Sequence, residues 1–170
     1  MLFYKNEVQT SAIAGTGVFA QEIIPKGAIV GCLAHNGKIA TEAQYQEAQK
    51  NGEYRLIQSA IRWAGEYFVY MQQEMSDDYI NHSQNPNMLY HCGVLFARRE
   101  INVGEELTVH YKYFLARNDV NAFEDSDTHE QVNGMDPKEA LLSSAKELIE
   151  LYSDKDIDLD HGRFSDYKPL

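Results

Sequence analysis

Three short motifs, separated by segments rich in β-forming residues, constrain the fold of this chain more than any other feature. Residues 15–20 read GTGVFA, residues 81–87 read NHSQNPN, and residues 101–111 read INVGEELTVHY. Each motif alone is compatible with an ordinary tight turn, because glycine and asparagine are residues that turns favour. Their order and spacing within one domain's length are far more specific, and they indicate a single shared site.

Many short strands and few helices are predicted between the motifs, which indicates a β-rich domain. Residues 54–71 are expected to form a hairpin that turns at Ala64 and Gly65. Residues 75–87 are polar and rich in turn formers, which is typical of a functional loop. The predicted strands lie within residues 11–30, 54–63, 66–71, 88–98 and 107–113.

Two helices are predicted, one inside the domain and one after it. The first covers residues 41–50, with Thr41 as its N-cap. The second covers residues 137–152, where Asp136 can be the N-cap and proline occupies the first helical position. The apolar face of the second helix, which should dock on the domain, carries Leu141, Leu148 and Tyr152.

The composition of the chain changes after residue 117, so we divide it into a domain over residues 1–117 and an acidic appendage over residues 118–170. Residues 1–123 contain 13 acidic and 10 basic residues, whereas residues 124–170 contain 13 acidic and 5 basic residues. The acidic surface favours a basic protein partner, although a solvated tail that aids solubility explains the same charge. No stretch rich in lysine and arginine is present to grip phosphates, which argues against direct nucleic-acid binding.

The cysteines and the hydropathy of the chain exclude several classes of protein. Cys32 and Cys92 stand far apart without a CxxC pair, so neither a disulfide framework nor a zinc site is predicted. No apolar run approaches the ~20 residues that cross a bilayer, and the N-terminus lacks the features of a signal peptide. We therefore expect a soluble intracellular protein of the cytoplasm or nucleus.

Alternating aspartates near the C-terminus are similar to the first ligands of a calcium-binding loop. Asp154, Asp156, Asp158 and Asp160 are followed by a glycine that comes one place late, and Tyr167 stands where the loop needs glutamate. A solvated acidic tail is the favoured interpretation, and no metal ligand is assigned.

Taken together, the three motifs resemble those of the SET-domain protein lysine methyltransferases over about residues 11–114. The resemblance implies a mainly β fold of the β-clip (SET-domain) type, with short strands in small sheets and a knot-like C-terminal passage, to which this chain adds a C-terminal α-helix. It also implies an enzyme that transfers a methyl group from S-adenosylmethionine to a lysine amine of a protein substrate. Histones are suggested as substrates by analogy alone.

The resemblance assigns roles to the residues that match the motifs. Tyr111 would be the catalytic tyrosine, with its hydroxyl directed at the reaction centre. Tyr90 and Tyr113 would line a channel for the substrate lysine, where aromatic walls lower the pKa of the amine and exclude water. The cofactor S-adenosylmethionine would be bound by Gly15, Thr16, Gly17, Asn81, His82 and Phe114.

Departures from the family pattern leave alternatives open. Gln84 stands where many members have a zinc-binding cysteine, so another segment must cover the site: Phe114, Phe123 or the helix over residues 137–152. His110 replaces the aspartate that often precedes the catalytic tyrosine. One rival hypothesis is a SET-fold binding module with weak or no catalysis. The other is an assembly protein that acts through its acidic tail and helix.

Overall fold

Short strands in small sheets of two or three make up most of the fold. The structure is a computed structural model that describes residues 1–35, 37–117, 119, 123–153 and 157. In chain order the strands are β1 Asn6–Thr10, β2 Thr16–Ala20, β3 Ile29–Cys32, β4 Lys38–Thr41, β5 Ile61–Ala64, β6 Tyr67–Tyr70, β7 Asn81–His82, β8 Met88–His91, β9 Val94–Ala97, β10 Thr108–Val109, β11 Phe123–Glu124 and β12 Gln131–Val132. The helices are α1 Glu42–Asn51, α2 Tyr54–Ser59 and α3 Pro137–Tyr152.

The main core lies where the three-stranded sheet β3-β9-β8 meets β2 and β10. These strands are short, but their inward side chains are almost all apolar, and burying each contributes about 1.5–3 kcal/mol. The largest fully buried side chains of this core are Val18, Ile24, Val30, Met88, Leu89, Leu95, Ile101, Leu107 and Val109. This mostly β architecture with a C-terminal helix confirms the predicted fold class.

The second and third motifs run side by side as a parallel pair of two-residue strands, β7 and β10. Thr108 is opposite Asn81, and Val109 is opposite His82. The Asn87 side chain secures this pairing, because its Oδ1 accepts from the Thr108 amide at 2.9 Å and its Nδ2 donates to the Glu106 carbonyl at 2.7 Å. The pairing lies where the resemblance implies a knot-like passage.

The predicted helices are present with their caps. Thr41 caps α1 in a full capping box with Gln44, and Gly52 ends the helix in a left-handed conformation with φ 69°. The Asp136 side chain accepts hydrogen bonds from the first amides of α3. Of the predicted docking residues of α3, Leu148 packs against the main core and Tyr152 contacts Phe96, as expected, whereas Leu141 is 40 % exposed and Ala140 and Ser144 are buried instead.

The hairpin predicted over residues 54–71 is only half correct. The second strand, the turn and the end of the first strand are present as β6, Gly65 and β5, but Tyr54–Ser59 forms the helix α2 instead of the start of the first strand. Leu56 of this helix packs against Tyr45 and Phe68. Tertiary packing therefore decides the conformation of a segment too short to be a stable helix alone.

Two further strand predictions are wrong in their extent. Residues 88–98 form the hairpin β8–β9 rather than one strand, because Cys92 and Gly93 have φ angles of 48° and 86°. Positive φ at both central residues is the geometry of a tight hairpin turn. The strand predicted over residues 107–113 stops at Val109, and Tyr111–Tyr113 forms a 3-10 turn.

The appendage contains regular secondary structure over its described residues. Strands β11 and β12 pair antiparallel, and α3 packs against the domain through Tyr152, whose hydroxyl donates to the Gly27 carbonyl at 2.6 Å. The domain boundary at residue 117 stays a prediction, and the aspartate pattern at residues 154–160 lies outside the described residues. Within the described chain, none of the helices combines the length and apolar character needed to span a membrane.

Candidate functional site

The Asn81 side chain joins all three motifs. Its Nδ2 lies 3.0 Å from the Thr16 carbonyl oxygen, 3.2 Å from the Ala14 carbonyl oxygen and 2.7 Å from Oε1 of Glu106. An amide nitrogen suits this position because it donates without carrying a charge. The predicted residues Thr16 and Asn81 are thus in direct contact.

Glu106 explains the glycine at position 17. Its carboxylate accepts from the Ser11 hydroxyl at 2.8 and 2.9 Å, and Oε1 lies 2.1 Å from the point where a Cβ on Gly17 would be. A larger residue at position 17 would displace this carboxylate and break its bond to Asn81. Glu106 received no role from the sequence, although it belongs to the third motif.

His82 connects the second motif to the main chain of Tyr111. Its Nδ1 accepts a hydrogen bond from the Tyr111 amide at 3.1 Å, so the neutral ring carries its proton on Nε2. Burial lowers the pKa of His82, although Asp125, whose Oδ2 is 3.4 Å from Nε2, acts in the opposite direction. His82 is therefore neutral at pH 7.

Tyr111 is held by its hydroxyl and by rings on both sides. The hydroxyl donates to the Ile80 carbonyl at 2.7 Å. The ring stacks on Phe114, with centroids 5.6 Å apart, and receives Phe123 edge-on at 4.9 Å. Burial, together with the charge of Glu106, raises the pKa of the phenol, so Tyr111 remains a protonated donor at neutral pH.

A cavity of about 900 Å³ opens beside Tyr111. Phe114 and Phe123 line it with Tyr111, and α2 and the residues that follow it contribute further lining. The acidic residues that line it are Glu74, Asp77, Asp78 and Asp119. The cavity therefore combines an aromatic wall with negative charge, which suits a cationic ligand.

The family model of the SET domain matches residues 15–112. The chain belongs to the SET-domain family. SET domains are generally protein lysine methyltransferases, which act on protein substrates and normally use S-adenosylmethionine. No curated protein matches the chain.

Two of the predicted site residues lie behind the aromatic wall of this SET domain. The Tyr90 hydroxyl donates to the Arg62 carbonyl, and the Tyr90 ring meets Phe114 edge-on at 4.7 Å. The Tyr113 hydroxyl donates to Glu147 of α3. Both rings line a separate cavity of about 20 Å³, so their role in a lysine channel stays a prediction.

The other predicted site residues fall into two groups in the SET domain. Tyr111 and Phe114 line the large cavity. Gly15, Thr16, Gly17, Asn81 and His82 are absent from the described lining of that cavity, although Asn81 and His82 pair with the strand that leads to Tyr111. Their binding of the cofactor therefore stays a prediction.

His110 makes the stability of the SET domain sensitive to acid. Burial lowers its pKa to about 4, and the nearby charge of Lys112 acts in the same direction. Because the unfolded chain binds this proton near pH 6.5, the free energy of unfolding should fall by roughly 2–3 kcal/mol as the pH decreases from 6.5 to 4. Urea denaturation at several pH values measures this fall.

The variant His110→Asn isolates this contribution. Asparagine can replace the Nδ1 acceptor that His110 offers to the Lys112 amide at 3.2 Å, but it does not titrate. We expect the stability of the variant to depend less steeply on pH between 6.5 and 4. Equal slopes for the two proteins would show that His110 does not cause the acid sensitivity.

Proposed function

We propose that this chain is an S-adenosylmethionine-dependent protein lysine N-methyltransferase whose reaction takes place beside Tyr111. The observation that carries the proposal is the pair of oxygens formed by the Tyr111 hydroxyl and the Ile80 carbonyl, 2.7 Å apart. Both residues line the large cavity, at the point where the second and third motifs run side by side. Oxygen atoms in a confined aromatic site stabilise positive charge.

The chemistry of these residues fits S-adenosylmethionine. When bound, the cofactor supplies a methyl group on a positively charged sulfur. The residues that line the cavity include Asp77, Asp78 and Ile80, whose carbonyl accepts from the Tyr111 hydroxyl. Gly15 adopts a φ of 47° and has nothing within 4 Å of the position of a Cβ, so a ligand can approach its backbone closely.

The remaining predicted ligands belong to the same proposal. Gly15, Thr16 and Gly17 would lie against the methionine part of the cofactor, with Asn81, His82 and Phe114 completing the site. The chain between β1 and β2 supports this, because Asn81 holds the carbonyls of Ala14 and Thr16 in a defined orientation.

Methyl transfer requires a neutral lysine amine, and burial of the amine against the aromatic wall of the cavity would favour that form, whereas the carboxylates of the lining favour the charged form. Deprotonating a free lysine at pH 7 costs about 4.6 kcal/mol, and removal from water lowers this cost. The rings of Tyr111 and Phe114, which stack on each other, provide an apolar surface, and the Phe123 ring adds an edge that is partly open to solvent. Because Tyr111 stays protonated, it orients the amine rather than acting as a strong base.

The acidic residues of the cavity support a basic protein substrate. Glu74 and Asp78 are exposed at the rim, where they would attract lysine and arginine residues around the target. Attraction of this kind is long-range, so it would weaken as the salt concentration rises.

Incubation with a labelled methyl donor and a proteome extract tests the proposal. We expect transfer of label to lysine side chains, which mass spectrometry then identifies. Calorimetry with S-adenosylmethionine gives a second, independent measurement. Donor binding without labelled lysine would favour a binding module, and the absence of both signals would refute a methyltransferase.

A further inference from the structure

A buried carboxylate on the C-terminal hairpin faces the histidine of the second motif. We infer that Asp125 is a positioning residue, which holds His82 and, through it, the main chain of Tyr111. The same hairpin places Phe123 against the Tyr111 ring. This inference deepens the proposed methyl transfer, and its effect on turnover rests on that function.

The hairpin secures one oxygen of Asp125 and directs the other at the domain. Asp125 follows β11 and is 3 % exposed. Its Oδ1 accepts from the Thr128 amide at 2.8 Å, from the Thr128 hydroxyl at 2.9 Å and from the Asp127 amide at 3.2 Å. These bonds satisfy Oδ1 within the turn, whereas Oδ2 faces His82.

His82 can donate a hydrogen bond from Nε2 to this carboxylate. The Tyr111 amide occupies Nδ1, so the proton on Nε2 is directed at Asp125. The distance of 3.4 Å is slightly longer than a hydrogen bond, and Nε2 has no other hydrogen-bond partner among the described residues. A small closing movement would complete the bond, as often happens when a ligand tightens a site.

Phe123 gives the hairpin a second contact with Tyr111. Its ring meets the Tyr111 ring edge-on, 4.9 Å between centroids, and it lines the large cavity. Val132, the partner of Phe123 across the hairpin, is buried and anchors the opposite strand. The hairpin thus reaches Tyr111 by two routes. Asp125 acts on the Tyr111 main chain by way of His82, and Phe123 contacts the Tyr111 ring directly.

The variant Asp125→Asn removes the contact with His82 and preserves the turn. Its side-chain oxygen can still accept from Thr128 and Asp127, but an amide nitrogen replaces Oδ2 and cannot accept from Nε2 of His82. The imidazole ¹⁵N spectrum should show the Nε2–H tautomer of His82 in the wild type and more Nδ1–H tautomer in the variant. We expect kcat to fall by about ten- to a hundredfold, with KM for a substrate peptide changed by less than about twofold.

Thr128→Val is the matched control, because it removes one bond of the same turn and leaves Oδ2 of Asp125 in place. We expect it to retain the wild-type tautomer and kcat. An Nδ1–H tautomer in the wild type, or an unchanged His82 spectrum or kcat in Asp125→Asn, would overturn the inference. If the wild type is inactive, the proposed function fails, and the spectrum alone decides the contact. If Asp125→Asn does not fold, the ¹H shift of the His82 Nε2 proton in the wild type decides the contact: we expect the downfield shift of a proton that is bonded to a carboxylate, and the shift of a free imidazole N–H would overturn the inference.

Discussion

Replacing Tyr111 by phenylalanine should lower the kcat of methyl transfer by about 10²–10³-fold while leaving the affinity for S-adenosylmethionine almost unchanged. The substitution removes only the hydroxyl, and the ring keeps its contacts with Phe114 and Phe123. What is lost is the oxygen that lies 2.7 Å from the Ile80 carbonyl at the edge of the cavity. Alignment of the amine with the methyl group depends on such oriented dipoles. Single-turnover kinetics with saturating donor measures the change.

Tyr152→Phe provides the matched control for this experiment. Its hydroxyl also donates to a backbone carbonyl, that of Gly27 at 2.6 Å, but Tyr152 is absent from the described lining of the large cavity. Both variants should lose about 1 kcal/mol of stability with the hydrogen bond. Only Tyr111→Phe should lose turnover, and equal kcat values in the two variants would remove Tyr111 from the mechanism.

The sequence predicts those parts of the fold that are encoded locally. The capping box of Thr41 and Gln44, the cap at Asp136 and the turn at Gly65 all follow from residue types that favour helix caps and tight turns. The motifs also predict that Asn81 lies near the first and third motifs, because their spacing matches a known family. The matching family model supports the same assignment.

What the sequence does not predict depends on contacts between distant residues. Cys92 has a positive φ of 48°, which a cysteine rarely adopts, so the adjacent Gly93 is a weak signal of the turn between β8 and β9. Asp125 is one of many acidic residues in an acidic segment, and only the folded chain brings it to His82. Glu106 is similar, since its role appears only when Gly17 and Asn81 are adjacent to it.

Gly134 marks a close crossing of the chain between the hairpin and α3, and it should tolerate no side chain. A Cβ at this position would lie 2.2 Å from the Ala116 carbonyl oxygen and 2.4 Å from the Leu115 carbonyl oxygen. Both are backbone atoms, which cannot rotate away as the end of a side chain can. We expect Gly134→Val to lower the free energy of unfolding by roughly 3 kcal/mol or more.

The consequence of this crossing extends to the candidate site, because Leu115 and the adjacent Phe114 line the large cavity. A chain forced apart at Gly134 would move that wall, so the variant should lose donor binding together with stability. Urea denaturation measures the stability, with Asn133→Ala as the control at an exposed neighbouring position. The free energy of unfolding of Gly134→Ala should lie between those of Gly134→Val and Asn133→Ala. Wild-type stability in both Gly134 variants would mean that the segments do not cross so closely, and that the wall formed by Phe114 does not depend on the crossing.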